Sequence, residues 1–167
     1  MLPIFLMVAE GFPQYEFVIA GAPGIDPKWY GTFIKNKEVK IVRNQTHDLL
    51  MYANAALVSS GTATLETALF NVPQVVCYRS SFFSYQIAKR LVKLQYISLV
   101  NLVLNREVVK ELIQDSFTVD KTSKQLEYIL SDAGQKQLKA DYQDLRTVLG
   151  KGGASEKTAE LIHKAII

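Results

Sequence analysis

The strongest constraint on this chain is a rhythm in which short β-branched and apolar runs alternate with stretches whose apolar positions recur at helical spacing. Such alternation points to a parallel sheet covered by helices on both faces, because strands buried on two sides read as continuous apolar runs and each parallel crossover needs a helix. A helix at Leu2 to Glu10 leads into a strand at Tyr15 to Ala20, which ends at Gly21-Ala22-Pro23-Gly24. Asp26-Pro27 opens a second helix, Val39 to Val42 forms the next strand, and Thr46 is placed to cap a short helix ending at Tyr52. Ala55 to Ser59 reads as strand, Ala63 to Phe70 as helix, Gln74 to Tyr78 as strand and Phe83 to Lys93 as helix. Tyr96 to Leu99 reads as a last short strand, with Asn101 on the loop behind it. Beyond that the pattern is helical over Val119 to Leu130, Gln135 to Leu149 and Ser155 to Ile166, with Gly150-Lys151-Gly152-Gly153 stopping one helix before Ser155 caps the next. The expectation is one α/β domain over residues 1–167, of which 119–167 is a helical tail.

With 167 residues, 49% hydrophobic and 21% charged, the chain is long and apolar enough for one domain with its own core. No apolar run approaches the roughly 18 to 20 residues that cross a bilayer. Met1 to Val8 is apolar but lacks a basic leader and a small-residue cleavage site, which argues against a secretory signal and for a cut inside an amphipathic helix of a longer protein. Cys77 is the single cysteine; it lies in the apolar run Pro73 to Tyr78 and reads as a buried thiol with no disulfide partner in the chain. A net charge of +3 suits anionic ligands such as diphosphates, or an anionic leaflet. Lys and Arg are dispersed without interleaved stacking aromatics, so nucleic acid is not an expected partner.

Ser59-Ser60-Gly61-Thr62-Ala63-Thr64-Leu65-Glu66 carries the chemistry. It is a small-residue turn between an apolar strand and a helix, where the backbone can approach a ligand closely and the first helical turn offers unpaired N–H groups and the positive end of its dipole. The carboxyl ends of parallel strands are where open α/β sheets collect ligands. Glu66, about a turn further on, either reaches two neighbouring hydroxyls such as those of a ribose, or simply complements the helix N-terminus. Thr62 and Thr64 share the ambiguity, and one of them is expected as a cap.

Ser60-Gly61-Thr62-Ala63-Thr64-Leu65-Glu66, followed in order by Val72-Pro73-Gln74-Val75-Val76, Tyr78-Arg79, Ala88-Lys89-Arg90-Leu91-Val92-Lys93, Tyr96-Ile97-Ser98-Leu99, Asn101-Leu102, Arg106-Glu107-Val108-Val109, Glu111-Leu112 and Gly152-Gly153-Ala154-Ser155, resembles the lipid A disaccharide synthase family from about Phe17 to the C-terminus. The resemblance implies the C-terminal, Rossmann-like half of a GT-B glycosyltransferase. That half holds the UDP-sugar donor, with Gly61 to Thr64 on the diphosphate beside Ser60, Glu66 on the ribose, and backbone near Val42 and Arg43 reading the uracil. The implied reaction joins UDP-2,3-diacylglucosamine to lipid X and releases UDP, with no metal or other cofactor. It places the protein in the bacterial cytoplasm, peripheral to the inner membrane, and leaves a homo-oligomer open. The family's catalytic base and its glycine-serine-arginine turn are missing from this chain, so the expectation is a fragment that binds UDP weakly and transfers no sugar without the N-terminal half.

Asn101 matches the polar position of the family's Ser-Leu-Pro-Asn-Leu motif, where it would face the substrate cleft; otherwise it bonds to its own backbone. Val100 stands where the family has proline. Arg79, just past a strand end, is read either as approaching phosphate or as pairing with a surface carboxylate. His47 and His163 are assigned no role. Phe82 to Leu94 combines aromatics with Lys89, Arg90 and Lys93, which suits a membrane surface or a packed helix with a basic outer face. Two further readings stay open: another UDP-sugar enzyme of this fold, such as an epimerase or peptidoglycan glycosyltransferase, or a non-catalytic α/β interaction module.

Overall fold

The computed structural model describes residues 1–34, 39–80, 95–150 and 152–166. Strand β1 (Val18–Gly21) pairs in parallel with β2 (Lys40–Arg43), Val18 standing opposite Lys40. A second parallel sheet has the order β3 (Ala56–Ser59), β4 (Gln74–Tyr78), β5 (Lys110–Ile113). In β4, Gln74 to Cys77 are all buried, which is why Val75-Val76-Cys77 carries no polar alternation. Burial pushes the Cys77 thiol up to about 12.

The helices are α1 (Leu2–Glu10), α2 (Pro27–Ile34), α3 (Thr46–Tyr52), α4 (Thr62–Leu69), α5 (Leu99–Leu104), α6 (Val119–Leu130), α7 (Asp132–Leu149) and α8 (Ala154–Ile166). Val8 and Phe12 from the first helix and its exit meet Val75, Val76, Cys77 and Leu112 of the sheet, together with Val100, Phe117, Leu126, Ile129, Leu138, Tyr142 and Leu145. Helices α6 and α7, the first part of the helical C-terminal tail, therefore contribute to the core. Only α8 of the three C-terminal helices has no buried residue. Positive φ at Gly150 ends α7 where the glycine cluster was expected to stop it. No helix among the described residues is long and apolar enough to cross a membrane.

The structure corrects several local expectations. Tyr96 to Leu99 is not a strand: Ser98 makes one isolated bridge to Gly61, and Leu99 already begins α5. The remaining strand is Lys110–Ile113, whose half-buried Lys-Glu-Leu-Ile sequence lacks the β-branched run that marks the inner strands. Thr46 is the first residue of α3 rather than its cap, Gln45 holding the cap position without a side-chain bond, and α8 begins at Ala154, one residue before Ser155. The helix expected at Phe83 to Lys93, and with it the proposed membrane-contact face of Phe82 to Leu94, lies outside the described residues.

Candidate functional site

The turn after β3 is built around Gly61. The backbone there has φ 114° and ψ −160°, a region that side chains with a Cβ avoid, and Gly61 occupies the N-cap position of α4. Nothing lies within 4 Å of the point where a Cβ would sit, so the outer side of the turn is open to an approaching group. No side chain caps α4. The N–H groups of its first two residues precede the point where intrahelical bonding begins at Thr64, and its dipole adds positive character at the same place.

The two threonines of the turn divide. Thr62 is exposed, whereas Thr64 is fully buried and its hydroxyl donates to the Gly61 carbonyl at 2.8 Å. The Thr64 N–H also donates to Gly61 O, at 3.1 Å. Neither threonine caps the helix from the N-cap position, contrary to expectation, because glycine has taken that position. The same Thr64 hydroxyl accepts the Leu99 N–H at 3.2 Å, joining the turn to the start of α5. Thr64 therefore braces the turn from beneath, and Gly61 and Thr62 are its exposed residues.

Glu66 projects from the second turn of α4, with 45% of its side chain exposed. The first turn contains no acidic residue, so Glu66 does not serve as the helix-start complement that was its alternative reading. His47, the second residue of α3, points its Nε2 at Glu66 Oε2 from 3.8 Å and stacks on Phe70 with ring centroids 5.3 Å apart. This contact brings the segment following β2 beside α4. Val42 and Arg43 end β2, and the Arg43 guanidinium donates to Pro23 O at 2.9 Å, holding the two loop ends of β1 and β2 together.

Behind the turn lies a polar network centred on Glu111 and Asn101. The Glu111 carboxylate accepts the N–H groups of Ile97 and Ser98, each at 2.9 Å, and the Asn101 amide at 2.8 Å. Asn101 Nδ2 also donates to Val109 O, while its Oδ1 accepts the N–H groups of Val108 and Val109. The side-chain amide thus makes four bonds, as many as it can. The expectation for Asn101 is corrected on both counts: it lies in α5 rather than on a loop, and it is fully buried with its polar atoms engaged rather than facing a cleft.

A sequence model of the lipid-A-disaccharide synthetase family matches residues 30–166. The chain belongs to that family. Lipid-A-disaccharide synthase of Anaeromyxobacter sp. (strain K) is 33% identical to it over 96% of this chain and 44% of the relative. The synthase of Syntrophus aciditrophicus is 34% identical over 95% of this chain, and that of Geobacter metallireducens 35% over 97%. The chain spans 44% of the length of each of these relatives.

In this member of the lipid-A-disaccharide synthetase family, the exposed Arg79 bonds to backbone carbonyls rather than to a surface carboxylate among the described residues. Its Nη2 donates to the carbonyls of Phe117 at 3.0 Å and Gln114 at 3.3 Å, and the guanidinium lies 5.6 Å from the centre of the Phe117 ring. It fastens the end of β4 to the turn after β5. Sequence reasoning set His47 aside and gave Glu111 no role. A single histidine after a helix start carries no distinguishing pattern, and the partners of Glu111 lie 10 to 14 residues away in sequence.

Proposed function

We propose that this chain binds the UDP-sugar donor of a GT-B glycosyltransferase that joins UDP-2,3-diacylglucosamine to lipid X, yielding lipid A disaccharide phosphate and UDP. The observation that carries the reading is the Gly61 turn, an open glycine-capped helix start with the Glu66 carboxylate half-exposed one turn further on. The diphosphate lies against the backbone of Ser60 to Ala63, Glu66 accepts the ribose hydroxyls, and the uracil is read by backbone at Val42 and Arg43. Thr64 contributes by holding the turn, since its hydroxyl is already bonded.

In the transfer, the acceptor hydroxyl oxygen bonds to the anomeric carbon as the bond from that carbon to the phosphate oxygen breaks. The negative charge arrives on UDP, where the N–H groups and dipole of α4 stabilise it. The base that takes the acceptor proton belongs to the N-terminal half of the enzyme. The lipid substrates place the reaction at the cytoplasmic face of the inner membrane.

The test is calorimetric titration of the purified chain with UDP, with ADP as control. Saturable binding of UDP, absent for ADP and weakened by Glu66→Ala and by Gly61→Val, is expected, as is no disaccharide formation by the chain alone. Equal binding of both nucleotides, or affinity indifferent to both substitutions, contradicts the reading.

A further inference from the structure

His47 is the side chain at the mouth of this site that the proposed chemistry leaves without a task. Its ring is held from one side by Phe70, the C-cap residue of α4, at 5.3 Å and an interplanar angle of 28°. Phe70 is itself tied to that helix through its N–H, which donates to Glu66 O at 3.1 Å. The backbone and side chain of Glu66 are thus each met by one half of the same stacked pair. With 67% of the His47 and 45% of the Glu66 side chain exposed, the contact lies in water and contributes little to folding. The ring braced by Phe70 occupies the space on one side of the Glu66 carboxylate, and an acceptor with fewer rotamers open to it loses less entropy when a ligand arrives.

We propose that His47 is a positioning residue for the nucleotide site: stacked on Phe70, it restrains the Glu66 carboxylate so that a vicinal diol meets a pre-oriented acceptor. The proposal rests on the reading of Glu66 as the ribose ligand. It makes the end of the segment after β2 a determinant of ribose recognition, beside the backbone of Val42 and Arg43.

The test is a double-mutant cycle read with two nucleotides. His47→Phe keeps an aromatic ring for Phe70 and removes Nε2; Glu66→Gln removes the charge it faces. UDP and 2′,3′-dideoxyuridine diphosphate are titrated into wild type, each single variant and the double variant, with melting temperatures confirming that all four fold alike. His47→Phe is expected to weaken UDP about two- to fivefold, the scale of one exposed side-chain contact of this kind. It should leave the dideoxy nucleotide unaffected and add nothing in the Glu66→Gln background. Unchanged UDP affinity in His47→Phe, with Glu66→Gln still impaired, overturns the proposal alone. An equal loss for both nucleotides, or an undiminished loss in the double variant, also overturns it, by assigning His47 a role independent of Glu66. UDP affinity indifferent to Glu66→Gln, or no UDP binding by wild type, removes the ribose reading and the proposal with it.

Discussion

Replacing Asn101 with alanine separates a framework residue from a ligand-facing one. The substitution strips partners from the N–H groups of Val108 and Val109 and from the Val109 carbonyl, while Glu111 retains the N–H groups of Ile97 and Ser98. Val109 and Asn101 are both fully buried, so water does not replace the lost bonds without rearrangement. At about 1–3 kcal/mol for each stranded buried group, and less for the partly exposed Val108, the expected loss is about 3–5 kcal/mol. That is a large fraction of the roughly 5–15 kcal/mol that holds a typical domain. For a domain of this size it lowers the melting temperature by about 10 °C. Thermal unfolding followed by circular dichroism measures it. Asn101→Asp should be at least as damaging at neutral pH, because it sets a second carboxylate against Glu111, and its deficit relative to wild type should shrink as pH falls toward the carboxylate range near 4. An Asn101→Ala protein that melts within about 2 °C of wild type would refute the framework role, since that is how exposed polar positions behave.

Gly134→Ala should destabilise the protein by about 1–3 kcal/mol in urea denaturation, because the new Cβ falls on the Tyr128 carbonyl, a backbone group that cannot swing aside. Gly31→Ala, in α2 with nothing within 4 Å of its Cβ position, should instead add about 0.5–1 kcal/mol. Cys77 gives an alkaline signature: its pKa rises from an ordinary 9.0 to about 12, so the folded state keeps a proton that the unfolded state releases. Stability from this group is whole below about 9 and falls by about 1.4 kcal/mol per pH unit up to about 12; Cys77→Ala should flatten the decline of melting temperature with pH between about 9 and 10. Arg106 spans Asp141 at 2.7 Å and Asp144 at 2.8 Å, but only Asp141 is buried. Arg106→Ala should therefore cost about 1–2 kcal/mol, because the carboxylate loses a half-exposed cation but keeps the Gln137 amide, whereas Asp144→Ala should cost less than about 0.5 kcal/mol in the same unfolding assay.

The parts of the fold legible in the sequence are those where burial writes itself into residue type. The run at Gln74 to Tyr78 is mostly apolar because β4 packs inside, that at Ala55 to Ser59 because β3 is half-buried around a buried Val58, and α6 and α7 show their buried faces at helical spacing. The strand at Lys110–Ile113 was illegible because it opens on Lys-Glu and only Leu112 is buried, leaving a short pattern without a β-branched run that suits a loop equally well. The segment at Ser98 was misread because its extended backbone ends in a single bridge, while Ser98 Oγ caps the following helix by accepting the Asn101 N–H at 3.2 Å. At the candidate site, Gly61 and its small neighbours were visible from composition and the family motif. The inward turn of Thr64, the saturated amide of Asn101 and the approach of His47 to Glu66 depend on contacts between different loops, which local pattern does not encode. The motif placed Asn101 among functional positions, and its geometry gives another reason for a fixed polar residue there: it organises the backbone behind the turn.

The most direct test of the donor-site reading is to follow the backbone amide resonances of ¹⁵N-labelled protein during a UDP titration. The account predicts saturable shifts concentrated at Ser60 to Thr64, Glu66, Val42 and Arg43, with α8 unmoved. Shifts that are absent, or that gather around the hollow lined by Gln74, Lys110, Tyr128 and Leu138, would contradict it.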